Sequence, residues 1–346
     1  MIIHVVGTGT IGEPLIGLLC DARKDLGIDE ITFYKHSPTL IDRPMVMGLI
    51  NRGANLCVHK QRIKDFQHLG LDPMYELEEA IRRAQVVIDC TPKGIGLQNK
   101  EKYYNRYRDR IRGFLAQGSE FGFGKMYAVG INDEAVTPED KFIHIVSCNT
   151  HNMAAVIKTL GVNHVREGRF VCIRRANDIS EDKNFIPAPQ VVEHDEEMGT
   201  HQAVDLYHLY KTLGIELNVF SSALKINTQY MHCIWFDIKL DKKITIDEVT
   251  QKFIENPRVA VTNKTSSGLV FSFGRDHGHY GRILDQTIIV LPTLHVLNGN
   301  EVFGFCFTPQ DGNSLLSSIT AAERFLYPDS YREKLKCLEE FLFQEV

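Results

Sequence analysis

A short, largely β-branched run, Ile2–Val6, passes directly into Gly7-Thr8-Gly9-Thr10-Ile11-Gly12, and from there into an apolar-periodic stretch over 13–22. This junction narrows the fold more than any other part of the chain. A G-x-G-x-x-G spacing carries meaning only between a strand and a helix, and here it has both. The glycines permit a tight turn and a close backbone approach, so that a pyrophosphate can rest on the amides at the helix start. Pro14 falls in the first helical turn, where its missing N–H costs little. The reading is a dinucleotide-binding turn with Gly7, Gly9, Thr10, Ile11 and Gly12 as its contacts. A glycine turn of purely structural purpose is the alternative.

Strand and helix signals go on alternating. Strands are expected at Glu30–Tyr34, Asn55–Val58, Val86–Asp89, 114–116, 126–129 and 142–146, with a helix over 75–84. Such alternation implies a parallel, doubly wound sheet. The second half reads differently. Long alternating stretches over 230–240 and 287–297 suggest antiparallel strands, and Asn298-Gly299 signals a hairpin leading into 302–307. Helical patterns occur over 203–212 and 247–254. The tail after Asp311 is helical again, with Ser330-x-x-Glu333 as a capping box. The expected fold is therefore α/β: an N-terminal Rossmann domain over 1–147, an α+β antiparallel-sheet catalytic domain over 148–311, and a C-terminal helical segment over 312–346 that returns to the first domain.

Composition sets limits. With 346 residues, 43% hydrophobic and 24% charged, the chain suits two globular domains, and a net charge of −5 argues against bulk nucleic-acid binding. The first residues lack the basic start and long apolar stretch of a signal peptide, and no apolar run is long enough to span a membrane. The eight cysteines form no Cys-x-x-Cys pair and are too sparse for a disulfide scaffold, which fits a reducing cytoplasm. His277-Gly278-His279 lacks a third ligand at metal spacing, so no metal is expected.

Two positions carry chemistry. Ile145-Val146-Ser147-Cys148 is an apolar strand ending in a thiol, and a helical pattern over 149–160 follows at once. A thiol at that junction lies beside unpaired amides and the positive end of the helix dipole, which favour the nucleophilic thiolate. Cys148 then needs a general base, and His232, beginning a strand whose same-face neighbours are Ile234, Phe236 and Ile238, is the best candidate. A satisfied core histidine is the plainer reading. After the second strand, where an NAD site usually places an acid, stand Lys35 and Ser37; that favours the 2′-phosphate of NADP, with NAD possible.

Taken together, Gly7–Gly12, Ser147-Cys148-Asn149-Thr150 and Met231-His232 resemble the archaeal-type (class II) glyceraldehyde-3-phosphate dehydrogenases over nearly the whole chain. Thr91-Pro92-Lys93-Gly94-Ile95-Gly96, Gln117-Gly118-Ser119-Glu120, Arg174-Arg175-Ala176-Asn177-Asp178 and Asn256-Pro257-Arg258 fit that family's pattern in order. The resemblance implies a homotetrameric enzyme with Cys148 as nucleophile and His232 as base. It implies cofactor contacts at Thr91, Gly94, Lys35 and Ser37. Thr150, Arg174 and His201 would bind the phosphates of a phosphorylated aldehyde and inorganic phosphate. The chain departs from the pattern at His151 and Asn152, at Gln202, and over Thr308-Pro309-Gln310-Asp311-Gly312-Asn313. His151 and Gln202 would then reshape the substrate pocket. The expected activity is phosphorylating oxidation of glyceraldehyde-3-phosphate. A dehydrogenase for a related semialdehyde or sugar-phosphate aldehyde, and a nucleotide-binding protein without catalysis, are the rivals.

Overall fold

The structure, a computed structural model, describes residues 1–178, 185–192 and 197–346, and divides into two compact units. The first comprises Met1–Lys125, Val136–Ile145 and Ser317–Glu339; the second comprises Met126–Ala135, Val146–Leu316 and Glu340–Val346.

The first unit is built on eight strands: β1 (Ile2–Val6), β2 (Glu30–Tyr34), β3 (Asn55–Val58), β4 (Tyr75–Glu76), β5 (Val86–Asp89), β6 (Gly113–Gln117), β7 (Lys125–Tyr127) and β8 (Phe142–Ile145). Their order is β4-β3-β2-β1-β5-β6-β8-β7, so the chain winds outward from β1 in both directions, as a Rossmann-like sheet does. β1 pairs in parallel with β2 and β5. Sheets of this kind are covered on both faces, which is why β5 and β6 are buried along their whole length and are mostly apolar, turning polar only at their last residues, Asp89 and Gln117. One expectation is corrected here. The helix expected over 75–84 is Leu77–Arg83, and Tyr75–Glu76 instead extends the sheet edge beside β3. Glu76 is in the β region at ψ 152, and the helix begins only after it.

The second unit holds β9 (Val165–Arg174), β10 (Gln190–Val191), β11 (Val219–Lys225), β12 (Cys233–Leu240), β13 (Val259–Thr262), β14 (Thr287–Val290), β15 (His295–Leu297) and β16 (Glu301–Phe307). The order is β10-β11-β9-β12-β16-β14-β13, with β15 also on β16. β12 lies antiparallel between β9 and β16 and alternates as a half-buried strand must: Ile234, Phe236, Ile238 and Leu240 enter the core while Trp235, Asp237 and Lys239 face outward. The helix Cys148–Leu160 adds Met153, Val156, Ile157 and Leu160 to that core. The sheet is mixed rather than wholly antiparallel. β9 with β11, and β13 with β14, are parallel, because the helices His201–Lys211 and Ser267–His277 supply the crossovers that parallel neighbours require.

Two further expectations change. The stretch over 287–297 is not one strand: Pro292 lies in a 3₁₀ turn, Leu291–Thr293, that separates β14 from β15. The hairpin does form, with Asn298 and Gly299 at φ 52° and 71° and Leu297 facing Glu301. Ser330 makes no side-chain cap, and its carbonyl rather than its hydroxyl receives the Glu333 amide. A complete capping box does form at Thr245 with Glu248. Beyond Lys334 the tail tightens into a 3₁₀ helix, Leu335–Phe341.

Candidate functional site

In the first unit the Gly7–Gly12 turn leaves β1 and enters the helix Gly12–Asp21. Gly7 has φ 98°, and a Cβ on Gly12 would lie 2.2 Å from the Gly7 carbonyl oxygen, so both positions exclude a side chain. A Cβ on Gly9 would meet no heavy atom within 4 Å, leaving its backbone open to approach. No side chain caps this helix. Open glycine backbone and uncapped amides at a helix N-terminus fit a pyrophosphate. Gly94, at φ 84°, opens the helix Ile95–Lys102, but its amide is held by the buried Glu120 carboxylate, which also accepts from Leu97 at 2.9 Å. Thr91 donates both its amide and its hydroxyl to Asp89. Those two expected cofactor residues are thus engaged within the protein. Lys35 forms an ion pair with Asp42 at 2.8 Å, and Ser37 is exposed. Asp42, the acid paired with Lys35, stands seven residues beyond it in the chain.

In the second unit Ser147 caps the helix Cys148–Leu160. Its hydroxyl accepts from the Thr150 amide at 3.3 Å and contacts the Thr150 hydroxyl at 2.9 Å. Cys148 is therefore the first helical residue, one earlier than expected, and its amide and that of Asn149 have no carbonyl four residues back. His151 turns its Nδ1 to the Ser147 carbonyl at 3.0 Å. The thiol is not poised as thiolate. Burial pushes it well above its ordinary range, and the Asp311 carboxylate, to which it is hydrogen-bonded, pushes further; Arg175 opposes both. The expectation of a lowered thiol is corrected: a nearby full negative charge outweighs the fractional charge of a helix end.

His232 is buried, and burial together with the Arg175 cation holds its ring down to about 3. Nδ1 accepts the Arg175 backbone N–H at 3.1 Å. The proton of the neutral ring therefore sits on Nε2, so the ring presents a donor there, where the sequence reading wanted an acceptor.

Arg175 joins these parts. It is 3% exposed, and its guanidinium donates to Asp311 Oδ2 at 2.8 Å, Asp178 Oδ1 at 2.9 Å and Gln310 Oε1 at 2.5 Å. Against the upward push of burial, Arg175 and the Cys148 hydrogen bond hold Asp311 down to about 2. Gln310 and Asp311 have φ 52° and 66°, a left-handed pair without glycine. Such conformations cost on the order of 1–3 kcal/mol each and persist where surrounding contacts fix them. The rest of the 308–313 segment is equally engaged. Thr308 donates to Asn149 at 2.9 Å and accepts from Asn152 at 3.1 Å; Asn313 donates to the Cys148 and Gln286 carbonyls at 3.0 Å. Of the departures from the resembled pattern, Asn152 after the thiol and Thr308 thus bond to each other.

The anion residues are less gathered. Arg174 ends β9, and its buried Nε has no hydrogen-bond partner among the described residues. His201 opens its helix after Thr200, whose hydroxyl is bonded to Ser221. Gln202 is buried, and among the described residues its Oε1 has no partner. Ser221 pairs with Phe170 and Lys225 with Arg174, which separates the two places by roughly 13 Å of strand backbone. Sequence reasoning singled out Arg174 and missed Arg175, Gln310, Asp311 and Asn313. The available signals were the arginine doublet and a polar segment between an apolar strand and a helix. Among the described residues no group of three His, Cys, Asp or Glu side chains is placed to hold a metal, and no helix is long and apolar enough to cross a membrane.

No family model matches the chain. It is similar to archaeal proteins named glyceraldehyde-3-phosphate dehydrogenase. Identity is 26% with that of Pyrobaculum islandicum over 313 residues, covering 87% of this chain and 85% of the relative. It is 28% with that of Metallosphaera sedula over 308 residues, with the same coverage. With that of Sulfolobus acidocaldarius it is 25% over 346 residues, covering 98% and 96%. The resemblance to the archaeal-type proteins therefore extends over most of the chain.

Proposed function

We propose, from this relationship and from the Cys148 site, that the chain is a phosphorylating aldehyde dehydrogenase. Its substrate is glyceraldehyde-3-phosphate and its product 1,3-bisphosphoglycerate, reached through a thioester on Cys148. The observation that carries the reading is the linkage of Cys148, at a helix start, to His232 through Asp311 and Arg175.

The Cys148 sulfur bonds to the aldehyde carbon. The amides of Cys148 and Asn149 and the Nε2–H of His232 are the donors available to the oxygen that gains charge. Gly7, Gly9, Thr10, Ile11 and Gly12 would hold the pyrophosphate of a nicotinamide dinucleotide, which when bound supplies the hydride acceptor. Lys35 and Ser37 would meet the 2′-phosphate of NADP, with Lys35 exchanging Asp42 for it; NAD would bind without that exchange. Thr150, His151, Arg174, His201 and Gln202 would meet substrate and inorganic phosphate. The reading includes a cytoplasmic homotetramer, which light scattering on the purified protein tests.

The second reading is a dehydrogenase for a related semialdehyde or sugar-phosphate aldehyde, in whose pocket the buried Gln202, with no partner for its Oε1 among the described residues, would lie. One assay separates the two: formation of reduced nicotinamide with glyceraldehyde-3-phosphate, NADP or NAD, with and without phosphate or arsenate. A phosphate-dependent signal is expected. Its absence in a protein that binds nucleotide transfers the assignment to another aldehyde.

A further inference from the structure

We propose that Asp311 is the proton acceptor for Cys148: as the sulfur bonds to an electrophilic carbon, the S–H proton passes to the Asp311 carboxylate, which Arg175 holds in place. This rests on Cys148 being the nucleophile.

Geometry carries the assignment. Thr308 and Asn313, on either side of Asp311, bond to Asn149 at 2.9 Å and to the Cys148 carbonyl at 3.0 Å, which brings the 7% exposed Asp311 carboxylate to the thiol. Its Oδ2 is fixed at 2.8 Å by a guanidinium that Asp178 and Gln310 also grip. Its left-handed backbone is followed by Gly312, where a Cβ would lie 1.7 Å from the Ile283 carbonyl oxygen. The carboxylate is thus delivered to the thiol by a strained turn that the packing fixes. His232, with Nδ1 occupied, has no free lone pair to offer.

The weakness of a carboxylate as a base is no obstacle. The thiol proton is weakly acidic at rest, but becomes strongly acidic once sulfur shares its electrons with carbon, and the transfer runs downhill at that stage. In the aldehyde step the S–C bond forms, the S–H bond breaks, the carbonyl π pair moves to oxygen, and the proton ends on Asp311. With the C–H pair given up as hydride to the nicotinamide of the proposed function, the alkoxide pair would re-form the carbonyl and leave the thioester. When phosphate cleaves the thioester, the S–C pair returns to sulfur and the Asp311 proton follows it. The proton of the attacking phosphate is the one released.

Alkylation of Cys148 by iodoacetamide tests this without aldehyde or cofactor, so failure of the activity assay and failure of this proposal are distinguishable. Mass spectrometry locates the adduct, with Cys148→Ser as the blank. The charged groups acting on the pair are Arg175, Asp178 and Arg282, with the neutral His232 ring beside them. Because Asp311 stays ionised, the wild-type rate is expected to be flat from about pH 5 to 8, and about twofold slower in D₂O. Asp311→Asn is expected to lose the plateau, its rate falling about tenfold per pH unit on lowering pH. A wild-type rate that itself rises about tenfold per unit with no isotope effect overturns the proposal, as does an Asn variant with the wild-type profile. Should the variant not fold, the wild-type profile and isotope effect decide.

Discussion

Arg175 carries three acceptors on one buried guanidinium, Asp178, Gln310 and Asp311, while its backbone amide sets the tautomer of His232. Replacing it by methionine leaves Asp311 as an unpaired buried charge, and a loss of about 3–5 kcal/mol is expected in chemical denaturation. Cys148→Ser is expected to abolish aldehyde oxidation while nucleotide binding, measured by fluorescence titration, is retained. Lys35→Ala is expected to raise KM for NADP about tenfold and to leave that for NAD within a factor of about two, since only the former has a 2′-phosphate to lose. Equal effects on the two cofactors would remove Lys35 from the site.

Among the elements, the helix Gly312–Leu326 bears an unusual carboxyl. Glu323 is fully buried, and neither of its oxygens has a partner among the described residues. Burial pushes it up to about 8, with Lys334 opposing. A folded value above the unfolded one means that the fold prefers the protonated form. Its contribution is complete below the ordinary carboxyl range and is lost as pH rises to about 8. Glu323→Gln is therefore expected to flatten the fall in stability over that interval and to gain on the order of 2–3 kcal/mol above it. Thermal melts from acid to mildly alkaline buffer provide the check; parallel curves for the two proteins would show that Glu323 does not govern this dependence. The helix Ile246–Glu255 offers a simpler case. Thr245→Ala removes a complete capping box and is expected to cost about 1 kcal/mol.

For the molecule as a whole, nucleotide binding and folding are linked. At a concentration about a hundred times Kd, NADP is expected to stabilise the protein by about 2.7 kcal/mol, visible as a rise in Tm. Gly12→Ala, which would place a Cβ 2.2 Å from the Gly7 carbonyl oxygen, is expected to abolish that rise. A shift of the wild-type size in the variant would mean that nucleotide binds elsewhere. The sequence by itself determined where β1, β2, β3 and β5 lie, because buried parallel strands are rich in β-branched and other apolar residues. It also determined the Gly7–Gly12 turn, the thiol at a helix start and the Asn298-Gly299 hairpin, all of them local. It could not tell Tyr75–Glu76 from the first turn of a helix, since only pairing with β3 makes two residues a strand. Nor could it choose between Arg174 and Arg175. Adjacent residues at a strand end face opposite ways, and which one enters the core depends on Asp311, 136 residues away in the chain. The ionisation of Cys148 and the tautomer of His232 were decided there too, because charge and hydrogen-bond partners act through space, and the sequence orders residues only along the chain.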